Sequence, residues 1–139
     1  MPTGPVSPEF IDLVRGPNPA VFSCTRPDGS PVSSVVWFLH DEDRILLTFD
    51  AGRKRLDFLR RNPACSLTIL DHDDVYRYVS LNGRVVDISP DSSLDVADRC
   101  SLAFLGKPYF DRARERVVGV FECDSWFGWN AQARRRAER

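Results

Sequence analysis

Residues 20–49 read AVFSCTRPDGSPVSSVVWFLHDEDRILLTF, and the period of this stretch decides the fold class. Side chains alternate with a period of two through residues 20–25, and Pro27, Asp28 and Gly29 supply turn chemistry. Residues 31–39 return as a second strand, with Ser33, Val35 and Trp37 on one face and Ser34, Val36 and Phe38 on the other. A polar turn at 40–44 leads to a third strand at 45–49. Three consecutive strands joined by short turns predict an antiparallel meander rather than a parallel sheet.

Outward from this stretch the signals alternate. On the N-terminal side, residues 1–6 are irregular, and Ser7, Pro8 and Glu9 open a short amphipathic helix that Gly16-Pro17 ends. On the C-terminal side a helix is predicted over 52–61, a strand over 65–70 and a long strand over 76–88, bent near Gly83. Ser89-Pro90-Asp91-Ser92 reads as a second helix start, running to about residue 105. A last strand at 117–123 precedes Trp126, Phe127 and Trp129, and residues 131–139 form a charged tail. This order predicts an all-β dominated chain, a closed antiparallel barrel with few helices plugging its ends. At 139 residues the chain fits a single domain.

A formal net charge of -1 argues against nucleic-acid binding driven by overall charge. No run reaches about 18 apolar residues, so no membrane span is expected, and no secretory signal is visible. A cytoplasmic location is the default expectation. His40 and His72 are the only imidazoles, which excludes a His-rich metal site. Cys24, Cys65, Cys100 and Cys123 lack metal spacing and read as small hydrophobes rather than as a disulfide framework.

Four segments carry candidate chemistry. Residues 48–55, TFDAGRKR, end a strand and open a helix with three consecutive cations, a phosphate cradle or else a solvated basic face. Trp37 either brackets an aromatic ring system with Ser33 or fills the barrel. Arg77, in mid-strand between Tyr76 and Tyr78, suits an interface or an anion site. The Trp126-Phe127-Gly128-Trp129 cluster marks a ligand contact, a subunit contact or core. No Ser-His-Asp set, carboxylate pair or Walker loop appears, so any redox reaction would be carried by a cofactor.

Taken in order, PVSSVVWF (31–38), LLTFDAGRKRLDFLRRNP (46–63) and YRYVSLNGRVVDI (76–88) resemble the pyridoxamine 5'-phosphate oxidase-like split β-barrel superfamily. Within it the resemblance is to the flavin/deazaflavin oxidoreductase branch that uses coenzyme F420. The resemblance implies a split antiparallel β-barrel of FMN-binding type, homodimeric, with each cofactor site lined by both subunits. By position, Ser33, Ser34, Val35, Val36 and Trp37 would pass beside the cofactor ring. Thr48, Phe49, Gly52, Arg53 and Lys54 would hold the phosphate and ribityl portion, with Arg55 where the family often has Lys. Tyr76, Arg77 and Tyr78 would approach from the partner or the site's edge, and Trp126 would close over the ring. Asp57 and Phe58 depart from the basic residue and Asn common in the family.

The implied activity is F420-dependent hydride transfer to a small organic substrate, with Tyr78 as a candidate proton donor. Two alternatives stand beside it, an FMN-dependent flavoprotein and a non-catalytic cofactor-binding dimer. The cations Arg60, Arg61 and Arg84 tilt the reading towards F420, whose tail needs a longer basic groove than FMN.

Overall fold

Ala20–Thr25 (β1) and Pro31–Val36 (β2) form the expected hairpin, in register from Ala20 opposite Val36 to Thr25 opposite Pro31. One residue later Phe38–Asp41 (β3) begins a different hairpin, with Arg44–Asp50 (β4). Lys54–Arg61 (α2), Ala64–Leu70 (β5), Arg77–Pro90 (β6), Asp95–Leu105 (α3) and Arg116–Asn130 (β7) follow, and Ile11–Arg15 (α1) precedes them all. The structure is a computed structural model that describes residues 3–132, so residues 133–139 of the charged tail lie outside the described residues.

Among the described residues the seven strands make one antiparallel sheet, ordered β2-β1-β5-β6-β7-β4-β3. Its two edges, β2 and β3, are successive in the chain with Trp37 alone between them. The sheet therefore curls until its edges meet at that residue. No ladder joins β2 to β3, so the result is a barrel split along one seam rather than a closed one. The expected meander is corrected too. Alternation reads straight through Trp37, but the pairing partner changes there, and period carries no information about partners.

Inward-facing positions of the strands build one core, in which Phe22, Phe49, Phe121, Leu47, Leu67, Ile69 and Leu81 are fully buried. Strand β4 departs from alternation, with Ile45, Leu46, Leu47, Thr48 and Phe49 all buried. Its inner face meets the barrel core, while Leu46 packs outward with Val96 and Cys100 of α3 and Val118 of β7. The helix α3 thus covers the outside of the sheet instead of plugging an end. It also starts later than the Ser89-Pro90 signal suggested, because β6 runs through Pro90. The buried Asp91 carboxylate accepts the N–H groups of Val96 (3.3 Å) and Ala97 (2.9 Å), and so satisfies the start of α3 from outside the helix.

Two further expectations change. The last strand extends to Asn130, because Cys123, Trp126, Phe127 and Trp129 all find register partners on β6. The N-terminal helix is only five residues, held down by Arg77. That guanidinium donates to Asp12 (2.6 and 3.0 Å), Asp71 (3.0 Å) and the Glu9 carbonyl (2.6 Å), and it lies over the Phe10 ring.

Between β6 and β7 the register shifts at Asn82/Gly83 and again at Val85/Asp87, which bends the long strands. Gly83 permits the first shift. A Cβ there would sit 1.9 Å from the Glu122 carbonyl oxygen and 2.9 Å from its carbon, both backbone atoms that cannot step aside. Gly83→Ala is therefore expected to destabilise the fold by at least about 3 kcal/mol, read as a lowered urea midpoint.

Candidate functional site: an arginine-lined cleft beside the seam

The seam places the end of β2 next to the end of β4. Val35, Val36 and Trp37 from one side, and Thr48, Phe49 and Asp50 from the other, line a cleft of about 260 Å³. Arg53 enters it from the β4–α2 turn, Arg55 from the first turn of α2, Arg116 from the first residue of β7, and Tyr109 from the loop after α3. Tyr109 is fixed there because its N–H donates to Asp98 of α3, which also accepts from Arg112.

Guanidinium groups dominate the electrostatics. Arg116 sits opposite Asp50 in the β4–β7 ladder, and its side chain is only 11% exposed. It donates to Asp50 at 2.5 Å and to the Thr48 hydroxyl at 2.9 Å, with its carbon 5.0 Å from the Tyr109 ring centroid. Thr48 accepts in that bond and keeps its own proton to donate. Arg55 donates to the Ser34 hydroxyl and lies over the Phe49 ring at 4.9 Å. Burial, and then the nearby Arg53 charge, push the Arg55 pKa below its ordinary value. Among the described residues Asp50 is the only carboxylate lining the cleft, shared among Arg53 (3.4 Å), Arg114 (3.2 Å) and Arg116. Burial raises its pKa, but the Arg116 bond and the charges of Arg116, Arg114 and Arg53 outweigh that and hold it below 3.8.

Three buried donors have no acceptor among the described residues, and two of them, Nε of Arg55 and Nε of Arg116, belong to cleft residues, the third being Nε1 of Trp126 elsewhere. Buried donors of charged groups are normally paired, so the cleft has the chemistry of a site for an anion with several oxygens. The start of α2 adds to it, since no side chain caps that helix. An adjoining hollow shares Asp50 and Arg53 and adds Gly52, Arg114 and Glu115.

Of the residues singled out in the sequence, Val35, Val36, Trp37, Thr48, Phe49, Arg53 and Arg55 come together here. Ser34 supports Arg55 from just outside, and Gly52 lines the adjoining hollow. Gly52 is not needed for its backbone, because a Cβ there would meet open space. Ser33 bonds Ser23 across the hairpin at 2.7 Å, and Lys54 opens α2 without lining the cleft. Trp37 does not fill the barrel; it stacks on Phe104 (5.8 Å) and meets the edge of Tyr109 outside the main core.

Tyr76, Arg77, Tyr78 and Trp126 belong to the other end of β6 and β7 in this chain. Tyr76 is exposed, Tyr78 packs on Phe127 and Trp126 leans on Phe10. Arg77 already binds anions, those of its own chain. Arg84 is paired with Glu122 and Asp124, and Arg60 with Asp57, which removes them from any free basic groove. The sequence reading missed Asp50, Tyr109, Arg114 and Arg116. A cross-strand Asp–Arg rung was detectable only once β4 and β7 were known to pair. A larger hollow of about 970 Å³ beside α1 mixes Arg15 and Arg44 with Glu42, Asp43 and Glu122, and so lacks the excess of positive charge.

Residues 6–130 match the pyridoxamine 5'-phosphate oxidase family. The chain belongs to that family. The structure is similar to an F420 reductase at 27% identity, with a TM-score of 0.78 over 88% of this chain and 98% of that one. It is also similar to a conserved hypothetical protein from Mycobacterium tuberculosis (22%, TM-score 0.71, covering 92% and 86%). General Stress Protein 26 from Bacillus anthracis str. Sterne follows at 20%, with a TM-score of 0.64 over 87% and 91%. At these identities the latter two show the fold alone. No curated protein matches the chain at significant similarity. Among the described residues of this family member, no helix is long and apolar enough to cross a membrane.

Asp50 anchors three arginines, so Asp50→Asn is expected to cost about 2 kcal/mol. Its lowered pKa makes the wild-type contribution complete above 3.8 and lost as the pH falls below that value. Denaturation curves between pH 7 and pH 2.5 should therefore drop more steeply for the wild type than for Asp50→Asn.

Proposed function

We propose that this member of the pyridoxamine 5'-phosphate oxidase family is an F420-dependent reductase acting on a small organic substrate. The observation that carries the reading is the arginine cleft, where the buried Nε donors of Arg55 and Arg116 face no acceptor among the described residues. These residues fit the phosphate of a ribityl-phosphate cofactor. Arg53, Arg55 and Arg116 would hold its oxygens, and Thr48 would donate a further hydrogen bond. Arg114, in the adjoining hollow with Glu115, is paired with Asp50 and Asp111, so the cations there do not by themselves separate the longer anionic tail of F420 from FMN. The likeness to an F420 reductase supports F420 over FMN.

Trp37, braced by Phe104 and Tyr109, gives the cleft a rigid aromatic wall, and Val35, 76% exposed on β2, offers an apolar surface beside it. Together they would orient a planar ring system and exclude water from its face. When bound, the deazaflavin supplies the hydride chemistry. In this reading the working unit is a homodimer, because Tyr76 and Tyr78 lie on the far end of β6 and reach a cleft only across a subunit contact. Tyr78 is then the proton donor to test.

Fluorescence titration of the purified protein with F420 and, separately, with FMN tests the reading. F420 should bind more tightly than FMN, and Arg55→Ala and Arg116→Ala should each weaken it by about 10- to 100-fold. Affinity should also fall with added salt. Tighter binding of FMN would move the protein to the flavin branch, and binding of neither would overturn the proposal.

A further inference from the structure

Cys24 of β1 and Cys65 of β5 are direct cross-strand partners, and they form the last rung of the β1–β5 ladder. Opposed residues of antiparallel strands point to one face with Cβ atoms roughly 4.5–5.5 Å apart, against about 3.5–4.5 Å in a disulfide. An approach of about 1 Å therefore suffices, at the rung where the β1–β5 ladder ends. Both thiols are free, with Cys24 buried and Cys65 half-buried at the edge of the same core. The other two cysteines are badly placed. Cys123 is separated from Cys65 by Gly83 of the intervening strand, about 9.5 Å across two ladder spacings, and Cys100 lies in α3 outside the sheet.

We propose that Cys24 and Cys65 are an oxidation site, a thiol pair that closes to an intrachain disulfide under peroxide. The segment between them carries Val35, Val36, Trp37, Thr48, Asp50, Arg53 and Arg55. The bond would therefore tie off, as one loop, every wall of the arginine cleft except Tyr109 and Arg116. Cys24, in the barrel core, also lies within electrostatic reach of Arg55, one of the cleft's walls.

The chemistry balances with hydrogen peroxide as oxidant. The Cys65 thiolate attacks one peroxide oxygen, the O–O bond breaks, and the departing hydroxide takes a proton to become water. The Cys24 sulfur then attacks the resulting sulfenic acid, the S–S bond forms, and the hydroxyl leaves with the Cys24 proton as a second water. Two thiols lose two electrons and peroxide gains them. Burial, and then the neighbouring Cys24, push the Cys65 thiol up to about 12, and burial also raises Cys24. Both are protonated at neutral pH, so the pair resists brief exposure and reacts faster as the pH rises.

The test does not depend on any cofactor. The purified full chain is treated with hydrogen peroxide at pH 8.5, alkylated, digested with trypsin without reduction and weighed. The peptides spanning residues 16–44 and 62–77 are expected to appear joined, two hydrogens lighter than their sum. The joined species should vanish in Cys24→Ala and in Cys65→Ala. Oxidation should raise the wild-type Tm by about 10 °C, with no rise in Cys65→Ala. Recovery of both peptides separately alkylated after Cys123 has been oxidised would overturn the proposal, as would cross-links from either cysteine to Cys123. The wild-type digest decides the matter even if a variant fails to fold.

Discussion

The chain leaves one edge of the sheet at Val36 and enters the other at Phe38. That single-residue step is the constraint from which the site follows. A sheet whose edges are tethered by one residue cannot stay open, and the curl it imposes sets the ends of β2 and β4 side by side. Trp37 occupies the corner. Its side chain turns out of the barrel and becomes the wall between the cleft and the helix that covers the outer face.

The cleft then depends on one carboxylate. Four arginines within reach of one another would repel, and Arg55 already shows the strain of a buried charge beside Arg53. Asp50 makes the arrangement tolerable by accepting from Arg116 and pairing with Arg53 and Arg114, yet it cannot neutralise them all. What remains is an excess of positive charge fixed before any ligand arrives. Preorganised donors of this kind give an incoming phosphate its bonds with little loss of side-chain freedom.

Much of this was legible in the sequence wherever local chemistry decides the outcome. Alternation located β1, β2 and β4, the Gly52-Arg53-Lys54-Arg55 run located the turn into α2, and three ordered segments located the family. Where partners decide, the sequence was silent. Arg53 and Arg55 were visible because they sit beside a turn, whereas Arg116 looked like any cation in a charged run until β7 was seen to lie against β4. Arg77 and Arg84 were equally conspicuous, but each is matched by acids more than five residues away along the chain. Tyr109 carries no periodic signal, since Asp98 places it from within a loop.

The order of strands also bears on how the molecule is made. The hairpin of β3 and β4 is synthesised before its only neighbour in the sheet among the described residues, β7, which emerges some seventy residues later, about half or more of a typical domain. During that interval the apolar run Ile45 to Phe49 has only the short β3 to lie against. Such long-range pairing raises contact order and slows folding. The nascent chain must keep β4 from straying until β7 arrives.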